Sequence, residues 1–288
     1  MLRIAGTLKA EAFTRNRGLC KQIVLKAMIS ADKIQENLRT QFIGRKLHAY
    51  DTVSSTNDVA KALALEGAEE GTVIIAETQT RGRGRMRREW FSPEGGLWFS
   101  VILKPKTKAK EVTKITLAVG VAIAKALKRQ FNLNAEVKWP NDVLANGRKV
   151  CGILTESVTY GEAVKIVVVG VGLNADISLE NFSRSVRDSL TTLKEELKTE
   201  VSLEPLLCEI FYHIEREYAV FLKQGFARIL GEWKALASFI GKDVEVTVFD
   251  GKFRGLAEDV DADGSLIVRL SDGSVKRVET GDVKVRMV

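Results

Sequence analysis

The chain has 288 residues, 45% hydrophobic and 28% charged, with a formal net charge of +7 and a pI of about 9.2. That length buries a large core and allows one main domain with a smaller one beside it. The basic excess fits anionic substrates or an acidic protein partner and is too diffuse to demand nucleic acid. No apolar run reaches the ~18 residues of a membrane helix. The N-terminus has no apolar core and cleavage site for export. Two histidines (His48, His213) and three scattered cysteines (Cys20, Cys151, Cys208) leave little for a metal centre, a histidine triad or a disulfide framework. Cysteine use of this kind suits a reducing, cytoplasmic compartment.

Residues 1–28 are basic and mixed, with a helix expected around Cys20–Met28. Ser30 can cap a helix over Ala31–Arg39, where Ile34 and Leu38 stand four apart. The leader 1–42 is too short for a winged DNA-binding module, so DNA binding is not expected. Lys46–Val53 reads as a strand. Ser54, Ser55, Thr56 and Asn57 then open a helix to about Glu66, with Val59, Ala60, Leu63 and Ala64 on one face. Their polar groups most simply cap that helix. Alternatively, they face a polar ligand at its N-terminus.

A strand over Thr72–Ala76 leads into the loop Glu77–Trp90, and the apolar strand Leu97–Leu103 follows. Arg81, Arg83, Arg85, Arg87 and Arg88 alternate with Gly82 and Gly84 in this loop. A basic run is usually a solvated surface or a nucleic-acid patch. Glycine alternation between two strands points instead to an anion-binding loop, because glycine lets backbone approach a ligand and arginine forks match carboxylates and phosphates. Like charges so crowded should leave the loop mobile until an anion arrives.

Glu111–Phe131 shows a helical stripe of Ile115, Val119, Ala122, Ile123, Ala126 and Leu127. Val137–Leu144 holds a Pro140-Asn141-Asp142 corner able to aim polar side chains at one point. Asn146-Gly147 signals a hairpin. The strand after it begins near Lys149 and carries Cys151, read as core, and Gly152, read as a close backbone approach. Ala163–Val169 is its partner, ending in Gly170-Val-Gly172-Leu-Asn174, which lacks the third glycine of a dinucleotide fingerprint. A charged connector with some helix spans 178–202, and structural helices cover Leu203–Gln224 and Phe226–Ala237. From Phe239 apolar residues alternate with polar ones, and Asp250-Gly251, Asp263-Gly264 and Asp272-Gly273 punctuate them. That pattern predicts a small antiparallel barrel.

Taken in order, Ser55-Thr-Asn57, Gly82-Arg-Gly-Arg85 with Trp90, Lys138-Trp-Pro-Asn-Asp142, Lys149-Val-Cys-Gly-Ile153 and Gly170-Val-Gly-Leu-Asn174, closed by a small barrel, resemble the biotin protein ligases. The resemblance runs from about residue 43 to 288. Each motif is weak alone, but the ordered set is specific. It implies an α/β fold: a mixed sheet with helices on one side, plus a C-terminal barrel of Src-homology-3-like type. It divides the chain into a leader (1–42), a catalytic unit (43–238) and the barrel (239–288).

It also implies an enzyme that makes biotinyl-5′-AMP from biotin and ATP with magnesium, then passes biotin to a lysine of a biotin carboxyl carrier domain. Ser55, Thr56, Asn57 and Gln79 would hold biotin, with Gly152 lining the pocket. Arg83, Gly84 and Arg85 would lie on the loop covering carboxylate and phosphate, and Trp90 would order it. Lys149 would stand between carboxylate and phosphate. Lys138, Asn141 and Asp142 would serve nucleotide and magnesium, with Gly172 and Asn174 beside them. The physics agrees, since two anions meet only when cations offset their repulsion.

Arg87 departs from the resemblance, standing where glycine is frequent. The short leader matches the ligase-only members, and the resemblance admits a homodimer through sheet edges. The nearest alternative is a lipoate protein ligase, which shares fold and central lysine. A nucleic-acid regulator would need aromatic residues among the arginines and a reading helix, and a non-enzymatic adaptor would use the barrel alone.

Overall fold

Two apolar runs too continuous for a half-exposed strand, Leu97–Leu103 and the 163–173 stretch, become central strands, buried on both faces. The computed structural model describes residues 29–285. The helix expected over Cys20–Met28 lies outside them. Seven strands form the main sheet: β1 (Leu47–Val53), β2 (Val73–Gln79), β3 (Leu97–Leu103), β4 (Ala135–Lys138), β5 (Asp142–Ala145), β6 (Arg148–Tyr160) and β7 (Ala163–Leu173). Their spatial order is β1-β2-β3-β7-β6-β5-β4. β1 and β2 are parallel and the other neighbours antiparallel, so the sheet is mixed as expected.

The helices are α1 (Ala31–Asn37), α2 (Thr56–Leu65), α3 (Val112–Phe131), α4 (Arg184–Arg187), α5 (Leu193–Leu197), α6 (Leu203–Gln224) and α7 (Ala227–Leu236). One sheet face presents Val73, Ile75, Phe99, Val101, Val167 and Val169 to the stripes of α3 and α6. Phe99 meets Phe211 edge-on at 5.3 Å. Burying each such side chain stabilises the fold by roughly 1.5–3 kcal/mol.

One helix departs from the single-sided expectation. α2 packs Ala60 and Ala64 on the opposite face, against Ile74, Ile102, Ile166 and Val168. The parallel β1–β2 pair needs a crossover, and β2 and β3 are apolar on both faces, so a helix covers each. Beyond α2 this second face is bare. Ser100, Gly152, Gly170 and Gly172 stand side by side there in the strand register.

The C-terminal strands are β8 (Asp243–Val248), β9 (Gly251–Val260), β10 (Leu266–Arg269), β11 (Val275–Val278) and β12 (Asp282–Val285). They form an antiparallel sheet in the order β11-β10-β9-β8-β12. Its buried face holds Val244, Val246, Ala257, Val260, Leu266 and Val268. The expected barrel is not closed, because edge strands β11 and β12 do not pair. At four residues each they offer few ladder bonds to hold a ring. The sheet docks on the larger unit through the fully buried Trp139, whose indole N–H donates to the Gly264 carbonyl at 2.9 Å, and through the Lys234–Asp259 pair at 2.7 Å.

Candidate active site

A cavity of 280 Å³ opens over the bare patch of the main sheet. Its floor is backbone because no larger side chain fits. A Cβ on Gly170 would lie 2.1 Å from Asn57 Oδ1, and one on Gly172 2.4 Å from Trp90 Nε1. These two close approaches are what the glycines of the 170–174 stretch provide.

The start of α2 forms the polar end. Thr56 N–H donates to Gln79 Oε1 at 2.8 Å, and Gln79 Nε2 donates to Ser92 Oγ at 2.9 Å. Ser100 Oγ–H donates to Asn57 Oδ1 at 2.7 Å and lies 2.8 Å from Thr56 Oγ1. Ser55 occupies the N-cap position of α2 yet makes no side-chain cap bond, so capping is not its role. Ser55, Thr56, Asn57 and Gln79 all line the cavity. Asn57 differs from the other three. Its amide also donates to the Leu154 carbonyl (3.2 Å) and Glu156 Oε2 (2.8 Å). It is a scaffold side chain that fixes α2 to β6.

The arginine loop roofs the cavity, and protein carboxylates already pair with three of its five arginines. That replaces the expectation of unrelieved like charges. Arg83 grips Asp58 with two bonds of 2.6 Å and lies 3.7 Å from Glu156. The pairing holds the Asp58 carboxyl below, and the Arg83 guanidinium above, the usual range. Arg85 Nη1 donates to the Gly281 carbonyl (2.8 Å) and Asp282 Oδ1 (3.2 Å), and reaches Asn141 Oδ1 at 3.5 Å. Burial pulls the Arg85 pKa down, and Asp282 and Asp142 oppose that. Arg88 also pairs with Asp282. Met86 and Arg87 take φ of +54° and +59°. The corner at Arg87 thus keeps a backbone that glycine adopts freely, at roughly 1–2 kcal/mol per residue. Gly82 is needed for sterics, since a Cβ there would sit 2.4 Å from the Trp90 carbonyl oxygen.

Trp90 leans across the floor glycines and packs T-shaped on Trp98 at 6.5 Å. Its indole N–H is buried with no partner among the described residues. Lys149 Nζ stands 5.0 Å above its ring. Lys149 also lies 2.6 Å from Asp142 Oδ1, close enough for an ion pair but outside hydrogen-bond alignment, so that oxygen has no aligned donor. Lys138 Nζ is 3.7 Å from Asp142 Oδ2. A register shift in the β5–β6 pairing, between Val143 and Leu144, lies opposite Lys149 and sets where that residue falls. Bulges re-aim side chains in this way. Asn141 turns its amide to the Ile153 carbonyl at 2.8 Å, so it too builds the wall.

Of the residues expected at the site, Ser55, Thr56, Asn57, Gln79, Arg83, Gly84, Arg85, Trp90, Lys138, Asn141, Asp142, Lys149, Gly152 and Gly172 line this one cavity. Asn174 does not. It is 2% exposed, donates to the Thr191 carbonyl at 3.1 Å, and holds the connector behind Lys149. Sequence reasoning put Arg88 in the anion-binding loop without assigning it to the site, and did not assign Gly170, Asp282 or Val283 to it either. Gly170 carried a signal, being the first glycine of its motif. Asp282 lies nearly two hundred positions from Arg88 and carried none. Among the described residues no group of three or more His, Cys, Asp and Glu side chains converges to hold a metal ion.

On this mixed sheet a glycine floor thus joins a neutral hydrogen-bonding end to a cationic end suited to an anionic group. Residues 49–174 match the model of the biotin/lipoate A/B protein ligase family, and residues 239–286 that of the biotin protein ligase C-terminal domain. The chain is 32% identical over 258 residues to the bifunctional ligase/repressor BirA of Bacillus subtilis, covering 89% of this chain and 79% of that one. It is 33% identical over 221 residues to the biotin–[acetyl-CoA-carboxylase] ligase of Paracoccus denitrificans, covering 75% of this chain and 90% of that one. The biotin protein ligase of Aquifex aeolicus, solved in complex with biotin and ATP, superposes with a TM-score of 0.72 at 26% identity over 85% of this chain and 100% of that chain. The chain therefore belongs to the biotin protein ligase family and carries that family's catalytic domain.

Proposed function

We propose that this enzyme joins biotin to AMP at the expense of ATP and then transfers biotin to one lysine of a biotin carboxyl carrier domain. The observation that carries the reading is the single cavity in which Ser55, Thr56 and Gln79 form a neutral polar end and Lys149, Lys138 and Arg85 a cationic one. Biotin has that polarity, a ureido ring at one end and a carboxylate at the other.

In the first step a biotin carboxylate oxygen bonds to the α-phosphorus of ATP. The bond to the bridging oxygen breaks and pyrophosphate leaves with the electron pair. No base is required, because the nucleophile is already ionised. The barrier is repulsion between anions and charge growth on the phosphate, and Lys149 at the junction offsets both. Before substrates arrive its partner is Asp142. Arg85 lies on the roof, and Trp90 offers its indole N–H, which has no partner among the described residues. In the second step the carrier lysine attacks the acyl carbon, an amide forms, one proton is lost and AMP departs. The arginine roof excludes water from the mixed anhydride in the interval.

Magnesium fits as an ion carried by the nucleotide. Asp142 supplies one buried oxygen without an aligned donor, and magnesium is commonly held by one or two carboxylates plus substrate phosphates. The carrier partner would be acidic, matching the +7 chain. The working units are 43–238 for adenylation and 239–288 as the docked sheet, in a cytoplasmic protein. No helix of the described residues is long and apolar enough to cross a membrane. Titration of biotin, then lipoate, each with ATP and magnesium, tests the reading when joined to mass spectrometry of the product. Biotinyl-adenylate is expected. Lipoyl-adenylate would correct the substrate, and no adenylate would overturn the reading.

A further inference from the structure

We propose that Asp282, at the start of β12 in the C-terminal sheet, is a positioning residue that aims Arg85 and ties retention of the activated intermediate to that sheet. The inference rests on the adenylation reading above and adds a residue to it.

All the side-chain hydrogen bonds Arg85 makes to the described residues leave from one nitrogen. Nη1 meets Gly281 O, Asp282 Oδ1 and Asn141 Oδ1, while Nε and Nη2 meet none of them. A guanidinium held at one corner keeps its Nε–Nη2 edge for a two-point grip on an anion. Free rotation of a long side chain would otherwise have to be frozen when the ligand binds. Asp282 is suited to the task. Its side chain is 25% exposed, it lines the cavity, and its second oxygen takes Arg88. One carboxylate therefore fastens the roof at two arginines. At the other end of the loop Arg83 is fastened to Asp58 on α2. The roof is a strap pinned by one carboxylate of the main unit and one of the C-terminal sheet. Without the second pin, Arg85 and Arg88 face each other with no anion between them.

The test uses the full chain with Asp282→Ala, Asp282→Asn and Asp282→Glu. Three quantities are read: biotin affinity without ATP, the release rate of biotinyl-adenylate from the purified complex, and the melting temperature. With Asp282→Ala and Asp282→Asn, release should rise about tenfold, the scale of one lost charge-assisted contact. Biotin affinity should stay within about twofold, and Asp282→Glu should restore most of the retention. Wild-type release from both the Ala and Asn variants would overturn the inference. So would equal losses of biotin affinity, retention and melting temperature, which would mark Asp282 as merely structural. A wild-type enzyme that forms no biotinyl-adenylate would overturn the function itself, which separates the two failures.

Discussion

Gly170→Ala adds one methyl group to the cavity floor, and its cost can be worked from the contacts. The new Cβ would lie 2.1 Å from Asn57 Oδ1, 2.8 Å from Cγ and 3.0 Å from Nδ2, so Asn57 must leave its place. Asn57 is buried and accepts from Ser100 while donating to Leu154 and to the Glu156 carboxylate. Three bonds at about 1 kcal/mol each give roughly 3 kcal/mol of lost stability. For a chain of this size that lowers the melting temperature by roughly 6–12 °C. Asn57 neighbours Thr56, so the polar end of the cavity shifts with it, and biotin affinity should fall about tenfold, equivalent to ~1.4 kcal/mol. Thermal melting and biotin titration measure both. Gly231→Ala is the control. It lies on the exposed side of α7 with nothing within 4 Å of an added Cβ. It should stabilise the fold by up to ~1 kcal/mol through helix propensity. A Gly170→Ala protein that melts and binds biotin like wild type would refute the reasoning.

Lys149→Ala removes the cation at the carboxylate–phosphate junction, so adenylate formation should drop at least ~100-fold while biotin still binds; unchanged single-turnover rates would remove Lys149 from the mechanism. Arg85→Gly loosens the roof, and the escaping intermediate should label nearby lysines without selectivity; equal intermediate lifetime and equal acceptor selectivity would sink that account. His213 is predicted to make stability pH-dependent. Burial lowers its pKa and outweighs the neighbouring Glu209 at 3.1 Å, with Lys125 and Arg129 acting in the same direction as burial. The folded protein keeps it neutral while the unfolded chain takes up a proton below pH ~6.5. Stability should therefore fall as pH drops through that value and level off below the depressed folded pKa. Urea midpoints from pH 7.5 to 5 should show a shallower fall in His213→Gln, and parallel curves would exclude the histidine as the cause.

Local chemistry made most of the elements legible. The six-residue apolar stripe of α3, the both-face apolar run of β3 and the Asp-Gly punctuation of the C-terminal sheet are short-range patterns, fixed by helical and strand periodicity. Ordered motifs likewise gathered fourteen residues that now line one cavity. What sequence left open depended on partners distant along the chain. Nothing local says that α2 covers the second face, that β11 and β12 stay apart, or that a β5–β6 register shift lies opposite Lys149. Asn174 stands in a motif beside Gly172, but strand geometry carries it past the end of the cavity to brace Thr191. Charge shows the same division most plainly. Five arginines crowded into one loop are plain in the chain. That Asp58 pairs with Arg83, and Asp282 with both Arg85 and Arg88, follows from folding alone, because ion pairing acts through space over a few ångströms and is blind to separation along the chain.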